Sequence, residues 1–151
     1  MDIKLNVQGV LTDPKTETQI VLLRSEGNNE VLPIWVGTVE GNAIKFAMEG
    51  IIPPRPMTHD LLKSMLDHLG IRVQKVIVTE IKNNTYYAMI YIEVEGTTLS
   101  IDARPSDAIA LAIRARVPIY ATDEVLKKRT GENLDDWLEK LNPKDFGEFN
   151  A

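Results

Sequence analysis

The chain has no cysteine, only two histidines, no surplus of basic residues and no long apolar run. Each absence removes a class of function. Without cysteine there can be no disulfide, no thiolate zinc site and no cysteine nucleophile, so any metal must be held by oxygen or imidazole. The longest strictly apolar stretch is Ala108 to Ile113. Even Tyr86 to Ile92, counting its tyrosines, is far below the roughly 20 residues that span a bilayer. No membrane passage is expected. The opening residues MDIKLNVQGV alternate polar and apolar and lack the basic-then-hydrophobic order of a secretory signal, so a cytoplasmic protein is expected. A net charge of −5 argues against a general grip on polyphosphate, because that affinity comes largely from displacing counterions with Lys and Arg. His59 and His68 are nine apart and miss the i, i+4 spacing of a helical chelate. No Gly-x-Ser-x-Gly elbow, phosphate-binding P-loop or dinucleotide fingerprint is present.

What is there reads as one α+β domain. At 151 residues, 44% hydrophobic and 26% charged, the chain can bury a sizeable core. Residues 3 to 11 alternate loosely, and a turn at Asp13-Pro14-Lys15-Thr16 leads into a second strand, Thr18 to Arg24. Val31 to Val36 is β-like, with Pro33 marking an edge or a bulge. Val39, Ala43, Phe46 and Ala47 recur at helical spacing, with Thr38 as N-cap and Gly50 as stop. A stiff Pro-rich connector precedes a second helix from Thr58 to Gly70, whose stripe is Leu61, Leu62, Met65, Leu66 and Leu69. Ile71 to Ile81, Thr85 to Val94 and Thr98 to Ala103 form a three-stranded meander. Ser106 opens a third helix to about Arg116, Val117 to Ala121 is a short buried strand, and Thr122 caps a fourth helix to about Arg129. The expected fold is a mixed, mainly antiparallel sheet with interleaved helices. Residues 1–130 form the domain, and 131–151 add a short amphipathic helix, Asn133 to Leu141, and a polar tail. From Asp123 onward there are eight acids against five bases.

One device occurs twice: Arg55-Pro56-Met57-Thr58-His59-Asp60-Leu61-Leu62 and Arg104-Pro105-Ser106-Asp107-Ala108-Ile109. Each sets Arg-Pro, a hydroxyl cap and a first-turn acid before an apolar helix. Capping explains most of it. The hydroxyl of Thr58 or Ser106 accepts an otherwise orphaned N–H, and Asp60 or Asp107 sits against the positive end of the helix dipole. The arginine is left over. A guanidinium beside free helix N–H groups makes a phosphate site of Arg104, Arg55, Ser106 and Thr58. The competing reading pairs Arg104 with Asp102 or Asp107, and Arg55 with Asp60.

Asp102 closes a strand whose other face carries Leu99, Ile101 and Ala103, so it could point to the mouth where the next helix begins and meet Asp107. Carboxylates converging on one point hold Mg²⁺ or Mn²⁺, which activate water in phosphodiester hydrolysis. The alternative is an Asp-Arg-Asp ion-pair network.

The segments Leu32-Pro33-Ile34-Trp35-Val36-Gly37 with Glu40, Arg55 to Leu61, and Asp102 to Ala112 resemble, in order, the bifunctional nuclease family. The resemblance covers roughly residues 1 to 130 and implies nuclease activity on DNA and RNA. By motif position it offers Glu40, Arg55, His59, Asp60, Asp102, Arg104, Ser106 and Asp107 as polar site residues, without an agreed catalytic set. The expected chemistry is metal-assisted phosphodiester hydrolysis. Asp102 and Asp107, helped by Glu40 or Asp60, would hold the divalent cation, Arg104 and Arg55 would neutralise phosphate, and His59 would transfer a proton. The rival is a non-catalytic module that binds an anionic ligand or a protein partner. A homodimer is expected, formed by strands and the Ala-rich third helix.

Overall fold

The structure, a computed structural model, describes residues 1–27 and 30–128. The expected helix at Asn133 to Leu141 and the tail after it lie outside these residues.

A seven-stranded mixed sheet carries the fold: β1 (Asp2–Thr12), β2 (Gln19–Ser25), β3 (Val31–Val36), β4 (Arg72–Lys82), β5 (Thr85–Val94), β6 (Thr97–Ala103) and β7 (Ile119–Thr122). Their spatial order is β3-β2-β1-β7-β4-β5-β6. Every neighbouring pair is antiparallel except β4 with β7, which is parallel. The hairpins β1-β2-β3 and β4-β5-β6 are therefore two local meanders, and β7 joins them. Pro33 sits on β3, which pairs only with β2, so the strand that lacks a ladder donor lies at the sheet edge as its proline implies.

Four helices complete the chain: α1 (Thr38–Glu49), α2 (Thr58–His68), α3 (Pro105–Ala115) and α4 (Asp123–Lys128). α1 packs over β1 and β2 and against α3; α3 lies over β4 and β5; α2 packs against α3. One main core lies between sheet and helices. Leu5, Val21, Ile34, Val76, Val78 and Ile90 supply it from the strands, and Ile44, Ile109 and Leu111 from α1 and α3. Strand alternation sends Leu11, Ile20, Leu22 and Val31 to a second cluster. A register shift between Val7 and Gly9 lets β1 feed both clusters, Leu5 and Val10 to one and Leu11 to the other. No described helix is long and apolar enough to cross a membrane.

The expected hydroxyl caps are displaced. Thr38 and Thr58 are the first helical residues, with Gly37 and Met57 in the cap positions; Ser106 follows Pro105 inside α3, whose cap position is Arg104. None of these three makes a side-chain capping bond. Proline fixes this at α3, since its ring suits the first helical position, where no N–H is needed. Only Thr122 caps as expected, its Oγ1 accepting the Val125 N–H at 3.3 Å. Ala108 to Ala112 of the Ala-rich α3 are all buried within the monomer, so this stretch is not available to a second copy.

Candidate functional site at three helix N-termini

The displaced caps bring one regularity into view. Glu40, Asp60 and Asp107 each stand third in their helix, where a carboxylate meets the free N–H groups and the positive end of the dipole. In α2 the Asp60 Oδ2 accepts the Met57 N–H at 3.0 Å, tying the acid back to the cap residue. Glu40 folds back over Gly37. A β-carbon at Gly37 would stand 2.4 Å from Glu40 Oε2, so the glycine admits the carboxylate.

Two arginines bind these acids. Arg104 grips Asp107 bidentately, Nε to Oδ2 at 3.1 Å and Nη2 to Oδ1 at 3.3 Å, and its Nη1 reaches Glu40 Oε1 at 3.5 Å. On the far side of Asp107, His59 Nε2 lies 2.8 Å from Oδ1. His59, Asp107, Arg104 and Glu40 thus form one chain of contacts across the starts of α2, α3 and α1. Separately, Arg114 Nε donates to Asp60 Oδ1 at 2.7 Å, while its Nη1 donates to the Ala110 carbonyl at 2.9 Å.

Charge follows geometry. Burial pushes the Asp107 carboxyl up and is its largest single influence, yet the hydrogen bonds and charges of His59 and Arg104 together hold it below the ordinary carboxylate value. Asp60 is held low chiefly by the Arg114 hydrogen bond, then by the Met57 N–H. The bond to Asp107 raises Arg104 above its ordinary value.

Three sequence expectations are corrected. Asp102 does not meet Asp107: it pairs with Met89 on β5, one residue out of phase with Ile90 and Ile101, so it projects from the sheet face opposite α2 and α3. It is exposed and makes no ion pair with a described residue. Arg55 is exposed and does not pair with Asp60, whose partner is Arg114. The two Arg-Pro motifs are not equivalent. Arg104 is three residues before its acid, in the cap position, whereas Arg55 is five before Asp60 and outside the helix. Thr58 is exposed, and Ser106 is buried in the first turn of α3.

A divalent cation does not fit these residues as placed. The pair meant to hold it is split across the sheet, Arg104 occupies both oxygens of Asp107, and no group of three His, Asp or Glu side chains stands ready for a metal among the described residues. No step below is derived through one.

Beside the Arg104–Glu40 pair opens a cleft of about 300 Å³, lined among others by Gly37, Glu40, Asn84, Tyr86, Arg104 and Ser106. His59 does not line it. A larger hollow of about 500 Å³, near Lys4, Met48 and Arg116, contains none of the candidate residues. Sequence reasoning missed Arg114 and the β4–β5 hairpin wall at Asn84 and Tyr86. Arg114 carried a signal: it follows Asp107 by seven positions, which places both on one face of α3 in an otherwise apolar run.

Residues 21–133 match the family model described as the bifunctional nuclease domain. The chain belongs to the bifunctional nuclease domain family. An uncharacterized protein of Mycobacterium tuberculosis is 34% identical over 123 residues, covering 82% of this chain and 73% of that protein. Bifunctional nuclease 1 of Oryza sativa subsp. japonica is 35% identical over 118 residues, covering 76% of this chain and 36% of the plant protein. Bifunctional nuclease 1 of Arabidopsis thaliana is 33% identical over 114 residues, covering 74% and 35%. The chain spans about a third of these plant proteins' length.

Proposed function

We propose that this chain hydrolyses phosphodiester bonds of DNA and RNA in the cleft beside Arg104. The observation that supports this reading best is the placement of Arg104. Its side chain is 65% exposed and forms part of the cleft wall, yet Asp107 and Glu40 hold the guanidinium in position, with His59 behind Asp107. A planar guanidinium fixed at a helix N-terminus suits a phosphate oxygen, and it stabilises the charge that builds there as the bond to phosphorus breaks. Glu40 is the carboxylate inside the cleft and so the group placed to accept a proton from an attacking water. His59, outside the cleft, contacts Asp107 at 2.8 Å and so steadies the carboxylate that holds Arg104. The membership of the nuclease family supports the substrate class.

The second reading is a non-catalytic module that binds an anionic ligand. The pairing of Arg104 with two carboxylates favours it, since a paired arginine can brace helices as well as bind. One experiment separates the two. Wild type, Arg104→Ala, Glu40→Gln and His59→Ala are purified alike and assayed on single- and double-stranded DNA and on RNA, in Mg²⁺, in Mn²⁺ and in chelator. Loss of one well-placed charge-stabilising donor costs about 10²–10³ in rate, so Arg104→Ala should cleave at least ~10²-fold more slowly. Folded variants that cleave like wild type assign the activity to a contaminant and leave the binding reading.

A further inference from the structure

The helix α2 is amphipathic but contains no buried residue. Its apolar stripe stands open: Leu61 is 54% exposed, Leu62 38%, Met65 53% and Leu69 69%. The edge strand β6 is open as well: every residue but Ala103 is exposed, including Leu99 at 48% and Ile101 at 46%. These two are the register partners of Ile92 and Ile90, both buried in the main core, so they extend the helix-covered face of the sheet beyond what α2 covers. Both the α2 stripe and this edge strand therefore leave large apolar side chains open.

The two ends of the sheet are treated differently. The β3 end carries Pro33, which breaks a ladder that another chain could extend. The β6 end has no proline and no bulge in its register with β5, and among Thr97 to Ala103 only Asp102 is charged. Among the described residues no strand pairs with its outward N–H and C=O groups. Such an edge is usually blunted unless something pairs with it.

We infer that a second copy of this chain covers this surface, β6 pairing antiparallel with β6 of its partner across a two-fold axis, beneath the two α2 stripes. The sequence of β6 suits this self-pairing. A two-fold axis at Ser100 sets Leu99 opposite the partner's Ile101 and Asp102 opposite the partner's Thr98, so apolar meets apolar and no like charges face each other. The area is sufficient. The six side chains expose on the order of 500 Å² per protomer, at the upper end of what a monomer leaves open. Doubled by symmetry this reaches the ~1,000 Å² that a specific interface requires, before the backbone edges are counted. The inference holds whether or not the chain is a nuclease, because none of the six side chains lines the Arg104 cleft.

The full chain should therefore sediment as a dimer of 16.9 kDa protomers at micromolar concentration. Ile101→Lys and Met65→Glu, made separately, should each shift it to monomer while far-ultraviolet circular dichroism and cooperative melting persist. Because the chain has no cysteine, single cysteines introduced by Thr98→Cys or Ser100→Cys report the geometry directly. At least one should give a covalent dimer with a short bis-maleimide, and a cysteine introduced on β3 by Val31→Cys should not. A monomeric wild type overturns the inference. So does a dimer that survives both charge substitutions and fails to cross-link through β6, which would place the interface elsewhere.

Discussion

Removing the Asp60 carboxylate should cost stability and leave the Arg104 cleft in place. In Asp60→Ala the Met57 N–H loses its acceptor at 3.0 Å, and Arg114, whose side chain is only 10% exposed, loses its ion partner at 2.7 Å. A lost acceptor at a helix start costs about 1 kcal/mol. A hydrogen bond to a charged group contributes about 1.5–3 kcal/mol. The total, about 3 kcal/mol, stays at the low end of the ~3–5 for breaking a fully buried pair, because Asp60 is 30% exposed. For a chain of this length that lowers Tm by about 6–12 °C. Asp60→Asn keeps one acceptor and should lose about half as much. The pH dependence has a definite sign. Arg114 and the Met57 N–H hold the Asp60 carboxyl below its ordinary 3.8, so near that pH the unfolded chain binds more protons than the folded one. The stabilisation is complete above the ordinary value and lost as pH falls through the folded one. Urea titrations at pH 6 and pH 3 should show the gap between wild type and Asp60→Asn closing on acidification. A change under 0.5 kcal/mol in Asp60→Ala at pH 6, or a gap that does not close, refutes the reasoning.

Three further outcomes follow from the same geometry. Gly37 has φ −71°, which alanine accepts, but its β-carbon would displace Glu40 Oε2; Gly37→Ala should lower the proposed cleavage rate and leave Tm nearly unchanged. At the buried Gly41 a β-carbon would lie 1.8 Å from Gln19 Oε1 and 2.9 Å from its Cβ, a clash a flexible tip cannot absorb alone. Gly41→Ala should destabilise by about 1–3 kcal/mol in chemical denaturation, and Gln19→Ala should restore much of it. Arg104→Lys retains the charge but not the bidentate fork on Asp107, so its cleavage rate should fall between those of wild type and Arg104→Ala; a rate equal to wild type would show that point charge alone matters there.

Much of the architecture was written in periodicity. Apolar pattern and turn residues mark β1 to β6 to within a residue or two: loose alternation in β1, and continuous apolar runs in β2 and β3, which are buried on both faces. Pro33 left β3 as an edge or a bulge, and the sheet order settles it as an edge. The open stripe of α2 could not be read this way, because a pattern of Leu and Met states which face is apolar, not what covers it. The phase of Asp102 was legible: two-residue alternation already set it opposite Leu99 and Ile101. What sequence could not supply was where α3 would start relative to the sheet. That start lies on the face Asp102 leaves.

The same distinction explains the repeated Arg-Pro motif. Composition makes Arg55 and Arg104 look like equals, but a helix counts residues from its first turn. Counted from the helix start, the shared element is the third-position acid, present also in α1 as Glu40, where no arginine precedes it. Three carboxylates at three dipole ends create a local negative cluster that must be neutralised. Arg114 neutralises one from within a packed interface and is spent on structure. Arg104 neutralises the other two while most of its side chain stays in water beside a cleft. The difference between the two is exposure: Arg114 is 10% exposed and Arg104 65%, which is why the proposed phosphate contact is assigned to Arg104 and the structural role to Arg114.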